Sequence, residues 1–119
     1  MANPNIINVS DIRGKTSVQS VATTATAIVE NTADSGKVVK VNSLTVANID
    51  GTNSANVTVD LFRSSTSYKV ANTIAVPADS TLVVISKDTS IYLEEGDSLR
   101  CLASATGDLQ AICSYEEIS

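Results

Sequence analysis

The feature that most constrains the fold is an alternation of apolar and polar residues with a period of two. It is clearest in the stretch ANVTVDLFR at residues 55–63, where Val57, Val59 and Leu61 share one parity. Successive side chains of a strand point to opposite faces of a sheet, whereas an amphipathic helix repeats every 3.6 residues. We find no helical stripe, and clusters of turn-forming residues interrupt the alternation roughly every eight to twelve residues. The sequence therefore predicts an all-β protein.

The alternating stretches predict about eight or nine short antiparallel strands in a β-sandwich, either jelly-roll-like or immunoglobulin-like. The predicted strands are residues 17–22, 26–31, 38–50, 55–63, 68–76, 81–86, 91–93, 98–105 and 109–116. A chain of 119 residues forms one domain of ordinary size. Residues 1–15 have no strong local preference and are predicted to be an N-terminal arm, so the sandwich is assigned to residues 16–119.

Three local features refine this prediction. The parity of the apolar residues slips between Val41 and Leu44, which predicts a β-bulge near Asn42 and Ser43. The Asp-Gly pair at residues 50–51 predicts a tight hairpin turn. The stretch TLVVIS at residues 81–86 is apolar on both faces, as in a strand that is buried on both sides.

The two cysteines lie on the last two predicted strands, on either side of Gly107. Folding these strands as a hairpin about Gly107 places Cys101 opposite Cys113 and, on the other face, Leu102 opposite Ile112. A cross-strand disulfide remains open, although its geometry would be strained. Because nothing in the sequence directs secretion, we favour two buried thiols. Metal binding would need further ligands, and the chain has no other cysteine and no histidine.

Both faces of this predicted hairpin carry apolar pairs, although a surface hairpin usually has one apolar and one polar face. Phe62, on the polar side of its strand, and the stretch at residues 81–86 show the same excess. Either these strands are central in the sandwich and covered by loops, or another subunit covers the second face. We favour a subunit contact, because the chain has few large side chains with which to cover itself. The predicted interface residues are Phe62, Leu102 and Ile112.

Composition argues against several functions. Without histidine, the chain lacks the commonest general base and cannot form a Ser-His-Asp triad. There is no tryptophan and aromatic residues make up 3%, which leaves few rings on which sugars or bases could stack. The net charge is −5 and no run of Lys or Arg exists, so no nucleic-acid partner is expected. No segment is apolar for long enough to cross a bilayer, so no membrane partner is expected either.

Acidic residues are the remaining candidates for chemistry. They are expected to be solvated charges rather than an acid/base pair or a cation site, and the members of this group are Glu94, Glu95, Asp97, Glu116 and Glu117. The turn at residues 50–53 has too few ligands for a calcium loop. We therefore predict no catalytic residue, no metal site and no cofactor.

Four strings in residues 37–119 carry a resemblance. They are the Asp-Gly turn between two alternating strands, VPADSTL at residues 76–82, IYLEEGDSL at residues 91–99, and SYEEI at residues 114–118. With these strings the chain resembles small virion structural proteins of tailed phages, most of all phages that infect marine cyanobacteria. The strings are structural, so the resemblance suggests a family and transfers no functional residue.

The resemblance implies a virion component that is made in the cytoplasm of the bacterial host and used in many copies. The leading expectation is a non-enzymatic capsid decoration or cement protein. Its partners would be further copies of itself, with a trimer favoured, and the major capsid protein or other virion proteins. The alternatives are a ring component of the neck, tail or fibre base and, less favoured because rings are scarce, a carbohydrate-binding module for host attachment.

Overall fold

The computed structural model of the chain describes residues 10–119. Nine strands within these residues form two antiparallel sheets that pack face to face, which confirms the predicted all-β sandwich. The strands are β1 (Ile12–Ser20), β2 (Thr26–Glu30), β3 (Val38–Asn48), β4 (Ala55–Arg63), β5 (Thr66–Val76), β6 (Thr81–Ile85), β7 (Ile91–Leu93), β8 (Ser98–Ala103) and β9 (Leu109–Ile118). A single 3-10 turn in this part of the chain covers Lys87–Thr89.

The strands are divided between two sheets. Sheet I has the strand order β1-β9-β3-β6, and β7 also pairs with β3. Sheet II has the order β2-β8-β4-β5. On the side of β3 that faces away from β9, β6 pairs with residues 44–47 and β7 with residues 39–41. Sheet I therefore presents a surface four strands wide.

The core lies between the two sheets and follows from the alternation. Val57 and Val59 of β4 and Leu44 and Val46 of β3 are fully buried in one apolar cluster. Their polar neighbours along each strand point away from it. The register of β3 shifts between Val41 and Ser43, which confirms the predicted bulge. The shift keeps the apolar residues on both sides of the bulge directed into the core.

The predicted hairpin of the last two strands is wrong. Gly107 does adopt a left-handed conformation, with φ of 86°, but the turn carries the chain from sheet II to sheet I. Cys101 on β8 lies beside Val59 of sheet II, and Cys113 on β9 lies beside Leu44 of sheet I. Alternation fixes which face of a strand is buried but leaves its pairing partner open: β8 pairs with β2 and β4, and β9 pairs with β1 and β3.

The Asp-Gly pair does not form the predicted tight hairpin either, because β3 belongs to sheet I and β4 to sheet II. Asp50 instead organises the loop between them. Its Oδ1 accepts a hydrogen bond from the backbone N–H of Thr52 at 2.8 Å. The hydrogen bonds lower the pKa of Asp50. A side chain that bonds the backbone two residues on replaces the backbone bond of a hairpin turn.

Two further expectations need correction. The stretch at residues 81–86 was expected to be buried on both sides, but β6 is an edge strand and Val83 is 58% exposed. Residues 12–15 were assigned to the arm, but they form the start of β1 and pair with β9 from Ile12 onward. The pairing partners are in β9, far away in sequence, so local preference could not reveal them. The rest of the predicted arm, residues 1–9, lies outside the described residues.

Candidate functional site: two contrasting outer faces

The three predicted interface residues do not share one surface. Phe62 on β4 and Leu102 on β8 belong to the outer side of sheet II, where both are half-buried. Ile112 on β9 belongs to the outer side of sheet I and is 48% exposed. The error follows from the wrong hairpin, which placed Leu102 and Ile112 side by side. The prediction of a subunit contact stays open for each face separately.

The outer side of sheet II carries an ion-pair network centred on Asp60. Arg100 on the neighbouring strand donates hydrogen bonds to Asp60 from Nε at 2.8 Å and from Nη2 at 2.9 Å. Ser67 donates to the same carboxylate at 2.7 Å, and the Lys69 ammonium lies 3.8 Å away. The Arg100 guanidinium also lies 3.9 Å from the centre of the Phe62 ring. Phe62 is thus engaged by its own chain.

The network sets the charge states of its members. Burial raises the pKa of Asp60, but hydrogen bonds from Arg100 and Ser67 and the positive charges of Arg100 and Lys69 outweigh it. The pKa of Asp60 therefore lies below its ordinary value. The hydrogen bond to Asp60 raises the pKa of Arg100. Both groups are ionised at neutral pH and bind each other in the bidentate geometry that is strongest for arginine and carboxylate.

A second ionic cluster holds the turn between β7 and β8. Asp97 accepts hydrogen bonds from Arg63, at 2.9 Å from Nε, and from the backbone N–H of Glu94 at 2.8 Å. Arg63 also lies 2.9 Å from the Glu94 carboxylate. Asp97 is buried, unlike the solvated charge that the sequence predicted. These contacts close a turn and leave no carboxylate pair across a cleft, so they explain structure rather than catalysis.

The outer side of sheet I is different, because most of it carries no charge. Cross-strand pairing arranges its residues in rows that run from β1 through β9 and β3 to β6 or β7. The first row is Ser20, Gln110, Ala47 and Thr81; the second is Val18, Ile112, Thr45 and Val83; the third is Thr16, Ser114 and Ser43. We call these eleven residues, together with the fourth row described next, face I.

The fourth row of face I is Gly14, Glu116, Lys40 and Tyr92. Glu116 and Lys40 are its charged members and occupy the two central strands. Neither belongs to an ion pair within 4.0 Å among residues 10–119. Tyr92, at the edge, is exposed. Face I therefore has three neutral rows and one row with a single charge of each sign.

The second row makes face I apolar at its middle. Val18 is 72% exposed, Val83 58% and Ile112 48%, and Thr45 completes the row between them. A shallow groove at the β1 end is lined by residues that include Val18, Ser20, Gln110 and Ile112. Single exposed apolar residues are normal, but three of them in one row, with only Thr45 between Ile112 and Val83, are typical of an interaction surface.

The two open ends of the sandwich also differ. Along the β1/β2 end, Ser17 donates a hydrogen bond to the Ile28 carbonyl at 2.8 Å, and Gln19 donates to the Ala27 carbonyl at 3.1 Å. At the other end, β5 is a free edge strand with two register shifts against β4. Thr73 of β5 has a positive φ of 53°. Bulges of this kind discourage an edge strand from pairing with another sheet, so face I is a better candidate for contact than the β5 edge.

The cysteines are buried free thiols, as predicted. Burial raises the pKa of Cys113 to about 12; burial, together with the charges of Cys113 and Asp60, also raises the pKa of Cys101 to about 12. The thiolate is the nucleophilic form of cysteine. Neither residue is suited to nucleophilic chemistry near neutral pH.

The described part of the chain also bears on metal binding and on membrane spanning. Residues 10–119 contain no group of three Cys, Asp or Glu side chains arranged to hold a metal ion. Over the same residues, no helix has the length and apolar character needed to span a membrane.

Sequence reasoning missed Val18, Lys40 and Glu116 as members of one surface. Val18 has only polar neighbours within three residues of it in β1, and Lys40 and Glu116 are 76 positions apart yet directly paired. The sequence did indicate that Ile112 and residues 81–86 place apolar side chains on the second face of their strands. Their common face emerges only from the strand order, which brings β1, β9, β3 and β6 together.

Comparison with known proteins gives a fold and no family. No family model matches the chain, and no curated protein matches it. Among solved structures, the chain is similar to one described as "Bacillus endospore appendages form a novel family of disulfide-linked pili". The TM-score is 0.54 and the identity 17%, and the similarity covers 98% of this chain and 95% of that one. At this identity the likeness supports the two-sheet fold alone.

Proposed function

We propose that this chain is a non-enzymatic structural subunit of a tailed-phage virion, and that it decorates the capsid shell and stabilises it through contacts between subunits. The observation that carries the proposal is face I, a largely uncharged surface with an apolar row that no strand of residues 10–119 covers. The assignment to a virion comes from the resemblance of residues 37–119. The homo-oligomer, with a trimer favoured, and binding to the major capsid protein belong to the same proposal.

The fold is compatible with use in many copies. The Bacillus appendage protein, which shares the two-sheet architecture, is described as forming pili that are disulfide-linked. This chain has two cysteines, and both are buried free thiols. Contacts between its copies would therefore be non-covalent. In an array, many weak contacts act together, because each bound subunit holds its neighbours at high effective concentration.

Addition of the purified chain to expanded capsids tests this function. The capsids would come from a tailed phage that infects marine cyanobacteria, since the sequence resembles virion proteins of such phages. The chain is expected to co-sediment with the capsids at a saturating ratio and to raise the temperature at which they break. Absence of binding, together with an unchanged disruption temperature, would contradict the decoration role.

The same preparation separates the alternatives. Electron microscopy of the chain alone would show closed rings of five, six or twelve copies for a neck, tail or fibre-base component. A host polysaccharide that raises the melting temperature of the chain would identify a carbohydrate-binding module. The molar mass in solution tests the trimer directly.

A further inference from the structure

We propose that face I is the contact between two copies of this chain, packed face to face about a two-fold axis that runs parallel to the strands, midway between β9 and β3. The inference rests on the proposed function in that it names the partner and the surface of a subunit that works in many copies. Between trimers, such a contact would join one trimer to the next. The occupant is a second copy rather than another protein.

Strand order makes face I complementary to itself. In a face four strands wide, an axis between the two central strands exchanges β9 with β3 and β1 with β6 or β7. Each residue then faces its row-mate in the other copy. Ile112 faces Thr45, and Val18 faces Val83. A two-fold contact is isologous, so each such pairing occurs twice.

The fourth row supplies the charge complementarity. The same axis places Glu116 of one copy against Lys40 of the other, and the reverse pairing follows by symmetry. Neither residue is engaged in an ion pair within residues 10–119. An acidic chain with a net charge of −5 repels its own copies except where charge is absent or opposite. Face I meets both conditions, since its other three rows are neutral.

The outer side of sheet II lacks these properties. Asp60, Arg100 and Lys69 are bound to one another there, and Arg100 stacks on Phe62. A partner at that surface would have to displace contacts that the chain already makes. No rearrangement of this kind is needed at face I.

The size of face I fits a contact that is weak in isolation. Strands lie about 4.8 Å apart and same-side residues about 6.8 Å apart along a strand, so the fifteen positions cover roughly 500 Å². A stable pair usually buries about 800 Å² on each partner. Two copies alone are therefore expected to associate weakly, whereas copies held side by side on a shell would bind through this face.

A charge exchange tests the axis. Lys40→Glu places two acidic residues opposite each other twice, and Glu116→Lys does the same with basic residues. Each variant alone is expected to raise the dissociation constant for pairing about tenfold or more, because like charges meet at both positions. In an equimolar mixture, opposite charges face each other again at both positions. Sedimentation velocity over a range of concentrations is expected to show pairing recovered in the mixture.

The mixture is decisive because the two residues are also neighbours within one chain. Folding defects of a single variant persist on mixing, whereas a defect at the contact is repaired by the other variant. Association in the mixture that is no stronger than in either variant alone overturns the proposal. Equal association of both variants and the unchanged chain overturns it as well. Lys69→Glu, on the other sheet, is the matched control and leaves pairing unchanged.

Cross-linking provides a second, independent measurement. Facing sheets lie about 10 Å apart, which suits a bismaleimide of similar span. A mixture of Ser43→Cys and Ser114→Cys chains is expected to give a covalent pair, because these positions face each other across the axis. The natural cysteines are buried and their pKa values are raised to about 12, so they are expected to react far more slowly than an introduced surface cysteine. Asn72→Cys, on exposed β5, is the control. Equal cross-linking of that control contradicts the proposed face.

The outcomes separate this inference from the proposed function. Chains that bind capsids but fail the mixing test retain the function and lose the contact. Chains that pass the mixing test but bind no capsid retain the contact and lose the decoration role. Capture of a different virion protein by face I, with no pairing of copies, overturns the second-copy assignment alone.

Discussion

The two outer faces of this sandwich are built from similar strands but use their polar groups in opposite ways. On sheet II, the charged groups at the centre bind one another, and the Asp60 carboxylate accepts hydrogen bonds from both Arg100 and Ser67. On face I, three of the four rows are neutral. Glu116 and Lys40, in the fourth row, form no ion pair within the described chain.

This difference predicts which face contributes to the stability of the fold and which face contributes to the association of copies. A buried charge that is satisfied within the chain becomes part of the folded structure, and its removal destabilises the fold. An exposed apolar band adds little to the stability of one copy, because most of its surface stays in water. We therefore expect changes on sheet II to affect folding and changes on face I to affect association.

Each sheet has a distinct inner and outer side only while the two sheets stay packed on each other. The reactivity of the two cysteines, which lie between the sheets, measures this packing. Cys101 belongs to sheet II and Cys113 to sheet I, and both point into the core. A pKa of about 12, against an ordinary value of 9.0, lowers the thiolate fraction near neutral pH about a thousandfold. Titration with a thiol reagent at pH 8 is expected to proceed at least that much more slowly in the native protein than in denaturant.

Counting the thiols completes this prediction. Two groups should react after denaturation without a reductant. Fast reaction of both in the native protein would mean that the sheets separate readily, and the distinction between an inner and an outer side would fail. No reactive thiol after denaturation would instead indicate a disulfide.

The cysteines also show which features of the fold could be predicted from the sequence. The predicted hairpin assigned Cys101 and Cys113 to one face, and both are indeed buried in the core. The parity was right because it depends on each strand alone. The pairing was wrong because it depends on which strands meet, and alternation is equally satisfied by a partner in either sheet.

Turn signals were misleading for a related reason. Asp50-Gly51 and Gly107 mark real reversals of the chain, yet both reversals cross between sheets. Within residues 10–119, the one close hairpin that joins neighbours in a sheet is β4–β5, where Ser64 and Ser65 have φ of 51° and 60°. Local chemistry favours a turn, but tertiary packing decides whether the flanking strands pair. Face I combines residues of five strands, β1, β3, β6, β7 and β9, so local information could not predict it.

Among changes on the two outer faces, removal of the Asp60 charge is expected to have the largest effect on stability. Asp60→Asn keeps the shape but leaves Arg100, whose side chain is 22% exposed, without its carboxylate. The expected loss is about 2 kcal/mol of unfolding free energy, below the roughly 3–5 kcal/mol of a fully buried pair because Arg100 retains contact with water. Denaturant titration measures it. Lys69→Gln, at the exposed rim of the same network, should cost no more than about 0.5 kcal/mol.

If Asp60→Asn costs less than Lys69→Gln, the network is not part of the fold, and the contrast between the faces loses its basis. Arg100→Lys helps to interpret an intermediate result. It keeps the charge but loses the bidentate geometry and the stacking on Phe62, so it should fall between the other two variants.

Acid should weaken sheet II through the same carboxylate. The folded-state pKa of Asp60 lies below its ordinary value of 3.8, so its stabilising contribution is complete above that value and is lost as pH falls through the folded pKa. The pKa values of Asp50 and Glu117 are also lowered, and they add to the acid sensitivity of the whole chain. The informative quantity is therefore the difference between the unchanged chain and Asp60→Asn. That difference should shrink below about pH 4; a constant difference down to pH 2 contradicts the assignment.

The smallest effect is expected on face I, and it is the sharpest test of the contrast. Val18→Thr keeps the branched shape and the strand preference at a position that is 72% exposed, so the unfolding free energy should change by less than about 0.5 kcal/mol. Val46→Thr, the same change at a fully buried position of β3, should cost about 1–3 kcal/mol because a hydroxyl enters the core. Both are measured by denaturant titration at a concentration where copies do not associate. A loss above 1 kcal/mol for Val18→Thr would show that this band stabilises the single chain, and face I would then be part of the fold rather than a surface held ready for a second copy.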